Sequence, residues 1–351
     1  MARTKRQIIG GVDTHASTHH AAVLDLHGRL LDDAQFAATP AGYAQMLSWM
    51  RKRGQVQSVG IEGTGAYGAG LARHLHEHGV DVLEVPRPDR RLRRQRGKSD
   101  PIDAEAAART VLAGNASGAP KLATGPIEAI RMLRVARTGA VKAKTAAANT
   151  LQAVLVTAPE PLRGQLRALS TAELINACLR LRPDTTSLHD PVQAAKMSLR
   201  SIATRARALD TKARTLKKQL DALTAAAAPA TSAIFGLGPD TVSALLIAIG
   251  DNPDRLRSEA AFAHLCGVAP IPASSGKTNR HRLHRGGDRS GNRALHIAVV
   301  VRLRYDPRSR AYATRRTTQG KTMPDIIRCQ KRYLAREVFT ALRADYAAIT
   351  T

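Results

Sequence analysis

Two carboxylates, Asp100 and Asp103, close the densest run of cations in this chain. The run contains Arg90, Arg91, Arg93, Arg94, Arg96 and Lys98, and it leads through Ser99 into Asp100-Pro-Ile-Asp103-Ala-Glu-Ala-Ala-Ala-Arg109. Residues three apart share one face of a helix, so both acids can face one site from the start of an alanine-rich helix. Cations that hold phosphates, beside acids that could hold a divalent metal, point to phosphodiester chemistry. Two further acids stand where apolar runs end: Asp13 after Gln7-Ile-Ile-Gly-Gly-Val, and Glu62 after Gln57-Ser-Val-Gly-Ile. Carboxylates at the ends of neighbouring strands point into one crevice. Four oxygen donors in a small volume suit Mg²⁺ or Mn²⁺. Two such ions about 4 Å apart would activate a nucleophile and stabilise the leaving oxygen of a phosphodiester.

Each acid also has a purely structural reading. Asp100, Pro101 and Asp103 make a good helix N-terminus, with a cap and charges that favour the helix dipole. Asp13 before Thr14 could simply end a strand in a turn. Glu62 in Glu-Gly-Thr-Gly-Ala-Tyr67 is harder to dismiss, because an apolar strand there delivers an acid into a glycine-rich turn. His15, His19 and His20 could add ligands, although histidines are common in surface turns.

The elements that must position these groups fall into three regions. Residues 1–120 alternate strand and helix patterns: strands at 7–13, 21–26, 57–62 and 80–85, and a helix from Leu71. That alternation predicts an α/β sheet. Residues 121–228 are helical and alanine-rich. Leu199, Ile202, Ala206, Leu209, Ala213, Leu216, Leu220 and Leu223 recur at 3-4 spacing, the signature of a heptad seam. Such a seam either packs within its own helical bundle or pairs two protomers as a coiled coil; the unbroken pattern on a long helix favours pairing. Residues 229–351 open with Phe235-Gly-Leu-Gly-Pro-Asp-Thr241, a turn similar to the hairpin of a helix-hairpin-helix element, where backbone amides meet phosphate. A long loop follows, poor in anything to bury, with Ser274, Ser275, Lys277, Arg280, His281, Arg282, His284 and Arg285. Loops of this length inside a compact domain are functional or disordered.

Composition narrows the partners. The 351 residues hold 54 Lys and Arg against 28 Asp and Glu, a formal net charge of +26. That excess calls for a polyanion, and nucleic acid is the usual one. A membrane partner would need an apolar run of about 20 residues, and none is found. The start reads as a basic tip entering a strand, not as a signal peptide. Three separated cysteines fit a reducing cytoplasm and exclude a cysteine-rich zinc module. Aromatics make up only 3% of the chain, so base stacking is not expected to dominate recognition.

The motifs Gly-Val-Asp13-Thr-His, Ile-Glu62-Gly-Thr-Gly-Ala-Tyr and Gly-Lys-Ser-Asp100-Pro-Ile-Asp103-Ala resemble the DEDD motif of the insertion sequence 110 family transposases. Phe-Gly-Leu-Gly-Pro and Gly-Val-Ala-Pro-x3-Ser-Ser275-Gly-Lys resemble the same family's C-terminal domain, and the likeness runs over nearly the whole chain in the family order. The resemblance implies a RuvC/RNase H-like N-terminal domain whose metal-binding acids match Asp13, Glu62, Asp100 and Asp103. It also implies a mainly α C-terminal domain that supplies a nucleophilic serine matching Ser275, with Ser274 one residue away. Family members recombine DNA under the guidance of a structured RNA encoded by the element, so the expected partners are donor and target DNA, a guide RNA and further copies of the chain. A serine hydroxyl is a poor nucleophile without help. Metals held by the acids could supply that help, while Lys277, Arg280, Arg282 and Arg285 neutralise phosphate charge. The runner-up is a metal-dependent, structure-specific nuclease that uses water. A catalytically silent nucleic-acid scaffold is the third reading.

Overall fold

A computed structural model describes residues 6–85, 99–116, 118–252, 256–276 and 281–350. The cation run Arg90–Lys98, together with Lys277 and Arg280, lies outside the described residues. The chain divides into two compact units, Met1–Gly125 with Ile249–Ser258, and Pro126–Ala248 with Glu259–Thr351. The helical and C-terminal regions read separately from the sequence thus fall in one unit, and a ten-residue segment from the far half of the chain joins the first.

The first unit contains β1 (Gln7–Thr14), β2 (Thr18–Asp25), β3 (Leu30–Ala37), α1 (Pro40–Arg53), β4 (Gln55–Glu62), α2 (Ala69–Glu77), β5 (Asp81–Val85) and α3 (Asp100–Leu112). Its sheet has the order β3-β2-β1-β4-β5. β1–β2 and β2–β3 are antiparallel, whereas β1–β4 and β4–β5 are parallel. Alternation along β1 sends Ile8 and Val12 to one face, where they pack with Met46, Met50, Leu71 and Leu75 of α1 and α2. Ile9 goes to the other face, with Ala107, Ala108 and Val111 of α3. The result is a sheet between helical layers, the α/β arrangement expected from the sequence. Asn252 fastens the returning segment. Its side-chain oxygen accepts from the Leu122 amide at 3.0 Å and its amide donates to the Pro120 carbonyl at 2.8 Å, in a position that is buried.

Among the described residues, the second unit is helical apart from one short β pair. It contains α4 (Pro126–Val156), α5 (Leu162–Leu166), α6 (Thr171–Leu179), α7 (Pro191–Ala227), α8 (Pro229–Ser232), α9 (Pro239–Ile249), α10 (Glu259–Leu265), β6 (Ile271–Pro272), β7 (His281–Arg282), α11 (Arg289–Tyr305), α12 (Pro307–Thr318) and α13 (Met323–Thr350). The heptad seam lies on α7. Leu199 and Ala206 are buried with Ala147, Leu151 and Leu155 of α4 in one apolar cluster. Farther along, Lys144 donates to Asp210 at 2.6 Å, so α4 and α7 run antiparallel in the same chain. The seam's observed partner is therefore α4, the intrachain alternative, with Leu223 left 40% exposed. α13 is locked by a buried carboxylate. Asp345 accepts from the amides of Ala230 and Thr231 and from the Thr231 hydroxyl, at 2.8, 3.0 and 2.6 Å, and so satisfies the orphan N–H groups that begin α8. Among the described residues, no helix is long and apolar enough to cross a membrane.

Candidate active site

The first unit brings Asp13 and Asp100 together because two glycines let a helix lie directly on the sheet. A Cβ on Gly11 would stand 2.2 Å from the Ala108 nitrogen and 2.3 Å from the Ala104 oxygen. One on Gly60 would stand 2.5 Å from a Val111 methyl and 2.9 Å from the Ala107 oxygen. Glycine in a strand marks such a close backbone approach, and the alanine face of α3 provides its other half. The contact fixes where α3 begins, and α3 begins with Asp100. We predict that Gly11→Val lowers stability by about 3 kcal/mol or more, because backbone atoms must move to admit the side chain. Thermal denaturation of the variant beside the wild type measures it; an unchanged midpoint would mean that α3 does not rest on β1.

Asp13 is the penultimate residue of β1 and Glu62 the last of β4, on adjacent parallel strands. The Thr14 hydroxyl donates to the Glu62 carbonyl at 2.8 Å and ties the two strand ends together. The glycine-rich turn after Glu62 starts at Gly63 with φ +74°, a left-handed conformation that glycine adopts without strain. Ser99 occupies the N-cap of α3, so Asp100 is the first helical residue and its carboxylate is not the cap that its position before Pro101 suggests. That carboxylate turns to His15 instead. His15 Nε2 lies 3.3 Å from Asp100 Oδ1 and 3.2 Å from Asp13 Oδ2. Ligand atoms of Asp13, His15 and Asp100 all lie within 4.8 Å of one another. Asp103, one turn along α3, is 4% exposed.

The electrostatics of this cluster are unfavourable as it stands. Burial raises the Asp13 carboxyl above its usual pKa; His15 works against that shift, and the carboxylates of Asp103 and Asp100 add to it. A cation among these oxygens would relieve both the burial and the crowding of like charges. The donor set, carboxylates plus one imidazole, fits a divalent metal, with Mn²⁺ tolerating the nitrogen better than Mg²⁺.

The three neighbouring histidines have different surroundings. His15 joins the acids. His19 is fully buried and stacks on Tyr43 with ring centroids 5.6 Å apart. His20 pairs with Asp33 at 2.7 Å. Of the three, His15 is the one whose ring nitrogen lies among the clustered acids, two residues along the chain from Asp13.

The serine segment lies in the second unit. β6 and β7 pair antiparallel, Ile271 with Arg282 and Pro272 with His281, and Ser275 sits exposed in the segment that leads from one to the other. Gly276 follows with φ +54°. Arg282 and Arg285 are exposed near the base of this segment. His281 is exposed too, whereas His284 packs edge-on against His264 with ring centroids 5.2 Å apart. The base is clamped by residues that the sequence did not advertise. A Cβ on Gly287 would stand 2.2 Å from the Gly267 nitrogen, so two chain segments touch there. The Asn292 side chain donates to the carbonyls of Cys266 and Gly267 at 2.9 and 3.0 Å, and Lys331 donates to Asn292 Oδ1 at 2.6 Å.

The turn at Phe235–Thr241 joins a one-turn helix to α9. Gly236 has φ +91°, and the Gly238 amide donates to Thr241 Oγ1 at 2.8 Å. Arg134 and Arg137 of α4 bind the first turn of α9 through the Asp240 carbonyl at 2.6 Å and the Asp240 carboxylate at 2.8 Å.

Comparison with known proteins gives two matched stretches whose bounds differ from those of the two units. Residues 10–158 match a family model described as "Transposase", of the DEDD type, and residues 229–314 match one described as "Transposase IS116/IS110/IS902 family". The chain is 32% identical over 147 residues to the "Insertion element IS110 uncharacterized 43.6 kDa protein" of Streptomyces coelicolor, a stretch covering 41% of this chain and 36% of that one. It is 33% identical over 87 residues to the "Insertion element IS900 uncharacterized 42 kDa protein" of Mycobacterium paratuberculosis, covering 24% and 22%. The aligned stretches thus span about a third and about a fifth of the length of these curated relatives.

Proposed function

Because the chain belongs to the IS110 family of transposases, we propose that it is a DNA recombinase of an insertion sequence that cuts and rejoins strands through a phosphoserine intermediate. The observation that carries this reading is the convergence of Asp13, Asp100 and His15 at the end of β1, with Asp103 close enough to perturb Asp13. Asp13, Glu62, Asp100 and Asp103 are the residues that would hold divalent metal, and His15 joins them as a fifth candidate. A bound divalent metal would supply charge stabilisation at the reacting phosphate and lower the cost of deprotonating an attacking hydroxyl.

Ser275 is the proposed nucleophile, with Ser274 as the neighbouring candidate. Its Oγ forms a bond to phosphorus as one backbone P–O bond breaks, and the departing oxygen takes up a proton. The bond count is unchanged, so a hydroxyl of another strand can reverse the step and rejoin the DNA. Arg282, Arg285, Lys277 and Arg280 are assigned to the phosphates of this segment, and Arg90, Arg91, Arg93, Arg94, Arg96 and Lys98 to nucleic acid more broadly. The net charge of +26 supports both assignments. The sheet order supports the RuvC/RNase H-like reading of the first unit. A helix-hairpin-helix role for Phe235–Thr241, a guide RNA that pairs with both DNAs, assembly of several protomers and a cytoplasmic setting complete the proposal.

The test is recombination itself. The purified chain, Mg²⁺ or Mn²⁺, RNA transcribed from the flanks of the gene, and DNAs carrying the element junction and the target are expected to give joined product strands. Cut but unjoined ends with free 5′-phosphates would favour the water-using nuclease instead.

A further inference from the structure

A concavity of about 430 Å³ opens on the second unit, remote in sequence from the serine segment, among α11, α12 and α13. Phe235, Arg302, Arg308, Tyr312, Gln330 and Tyr333 are among its lining residues. The whole chain has one Trp, six Tyr and four Phe, and three of these aromatics meet here. Phe235 is 54% exposed and Tyr333 50%, so rings that would normally be covered face solvent. Tyr312 and Tyr333 stand edge to face, with centroids 5.8 Å apart and planes at 89°.

The polar groups in the same wall are incomplete. Gln330 is 7% exposed, and its amide nitrogen donates to the Ser309 carbonyl at 2.9 Å, which fixes the orientation of the amide. Its Oε1 is buried without a partner. A buried acceptor left unmade is costly, and what would satisfy it is a hydrogen-bond donor, N–H or O–H. Arg302 is held rigid: it reaches the Glu337 carboxylate through two bonds at 3.0 and 2.6 Å and the Phe235 carbonyl at 2.8 Å. Arg308 is exposed at the rim.

Asp306 and Glu337 also line the concavity, with Glu337 paired to Arg302. Flat rings for stacking, a buried acceptor lacking a donor, and the exposed Arg308 together are complementary to one class of ligand. We propose that this concavity binds a single unstacked nucleobase carrying an exocyclic amino group, with its phosphate toward Arg308. Adenine and cytosine offer such a group at the edge of the ring; uracil and thymine do not. The expected source, a single-stranded stretch of RNA or DNA, rests on the recombinase reading, whereas the pocket chemistry does not.

The test is anisotropy titration of the full chain at fixed salt with fluorescein-labelled pentanucleotides: oligo(A) and oligo(U) as RNA, oligo(A) and oligo(T) as DNA, and an abasic strand with the same number of phosphates. Oligo(A) is expected to bind about tenfold or more tighter than the abasic strand, and tighter than oligo(U) or oligo(T). Comparing the RNA and DNA series identifies the source of the base. Tyr333→Ala, at a half-exposed position, is expected to remove the advantage of bases over abasic sites while leaving the abasic affinity unchanged; Tyr333→Phe is expected to keep it. Equal binding of abasic and base-bearing strands by the wild type would overturn the pocket but leave nucleic-acid binding intact. Loss of affinity for both in Tyr333→Ala would also overturn it, as would a change confined to self-association in sedimentation velocity. Failure to bind any strand, the abasic one included, would sink the recombinase reading as well.

Discussion

Ser275→Ala is expected to abolish strand joining and, with it, any protein–DNA adduct that survives denaturation. Removing a covalent nucleophile typically costs about a thousandfold or more in rate, because no other group inherits its bond to the reacting atom. The side chain is exposed in a segment between two-residue strands, so its loss removes little packing. Folding and DNA affinity should therefore survive, and that separates a chemical role from a structural one. Ser274→Ala serves as the neighbouring comparison and is expected to keep most of the activity. The adduct is read as a radiolabelled DNA band that migrates with the protein in denaturing gels. Undiminished cleavage in Ser275→Ala would remove the serine from the mechanism and leave the acids as a hydrolytic centre.

Asp13→Asn is expected to be equally severe for activity and to act in the opposite sense on stability. The loss of one metal-holding carboxylate should remove several kcal/mol of charge stabilisation at the phosphate, roughly a thousandfold in rate. Yet the Asp13 carboxyl is buried, with Asp103 and Asp100 nearby, and is raised above its usual pKa for those reasons. The neutral amide avoids the charge repulsion, so without metal the variant should melt no lower than the wild type. Mn²⁺ should raise the melting temperature of the wild type by mass action and leave that of the variant nearly unmoved. The two scans, with and without Mn²⁺, distinguish this from simple misfolding. A variant that keeps both its activity and its response to Mn²⁺ would show that the metal binds elsewhere.

Much of this site could be read before any coordinates, for definite reasons. Asp13 and Glu62 follow apolar runs long enough to be strands, and a strand's end is a fixed place in a sheet. Asp100 follows a capping residue and precedes proline, which marks the start of a helix within a residue or two. What the pattern did not carry is how α3 meets the sheet. Gly11 and Gly60 read as weak strand residues until the alanine helix is seen lying across them. His15 was indistinguishable from His19 and His20 by composition, since their separation depends on alternation and on where α3 starts. β3 and α1 are absent from the strand and helix patterns read at 1–120; β3 mixes Asp32, Asp33 and Gln35 into an edge strand, which blurs alternation. The Thr39 hydroxyl caps α1. The heptad seam was periodic enough to define a buried face, but periodicity does not say whose helix covers it. The 3% of aromatics was a chain average, and an average conceals that three rings gather at one concavity.

The fastening of residues 249–258 into the first unit bears on inheritance. A polypeptide whose halves can be separated by one cut can be assembled by shuffling gene fragments, and each half can later be exchanged for another. This chain is not organised in that way. It leaves the first unit after Gly125, re-enters at Ile249 and leaves again after Ser258, with Asn252 holding Pro120 and Leu122 on the way. A gene fragment ending at Gly125 encodes the acids but not the buried amide that completes their unit. Exchange of that fragment alone is therefore expected to cost the first unit stability unless residues 249–258 come with it.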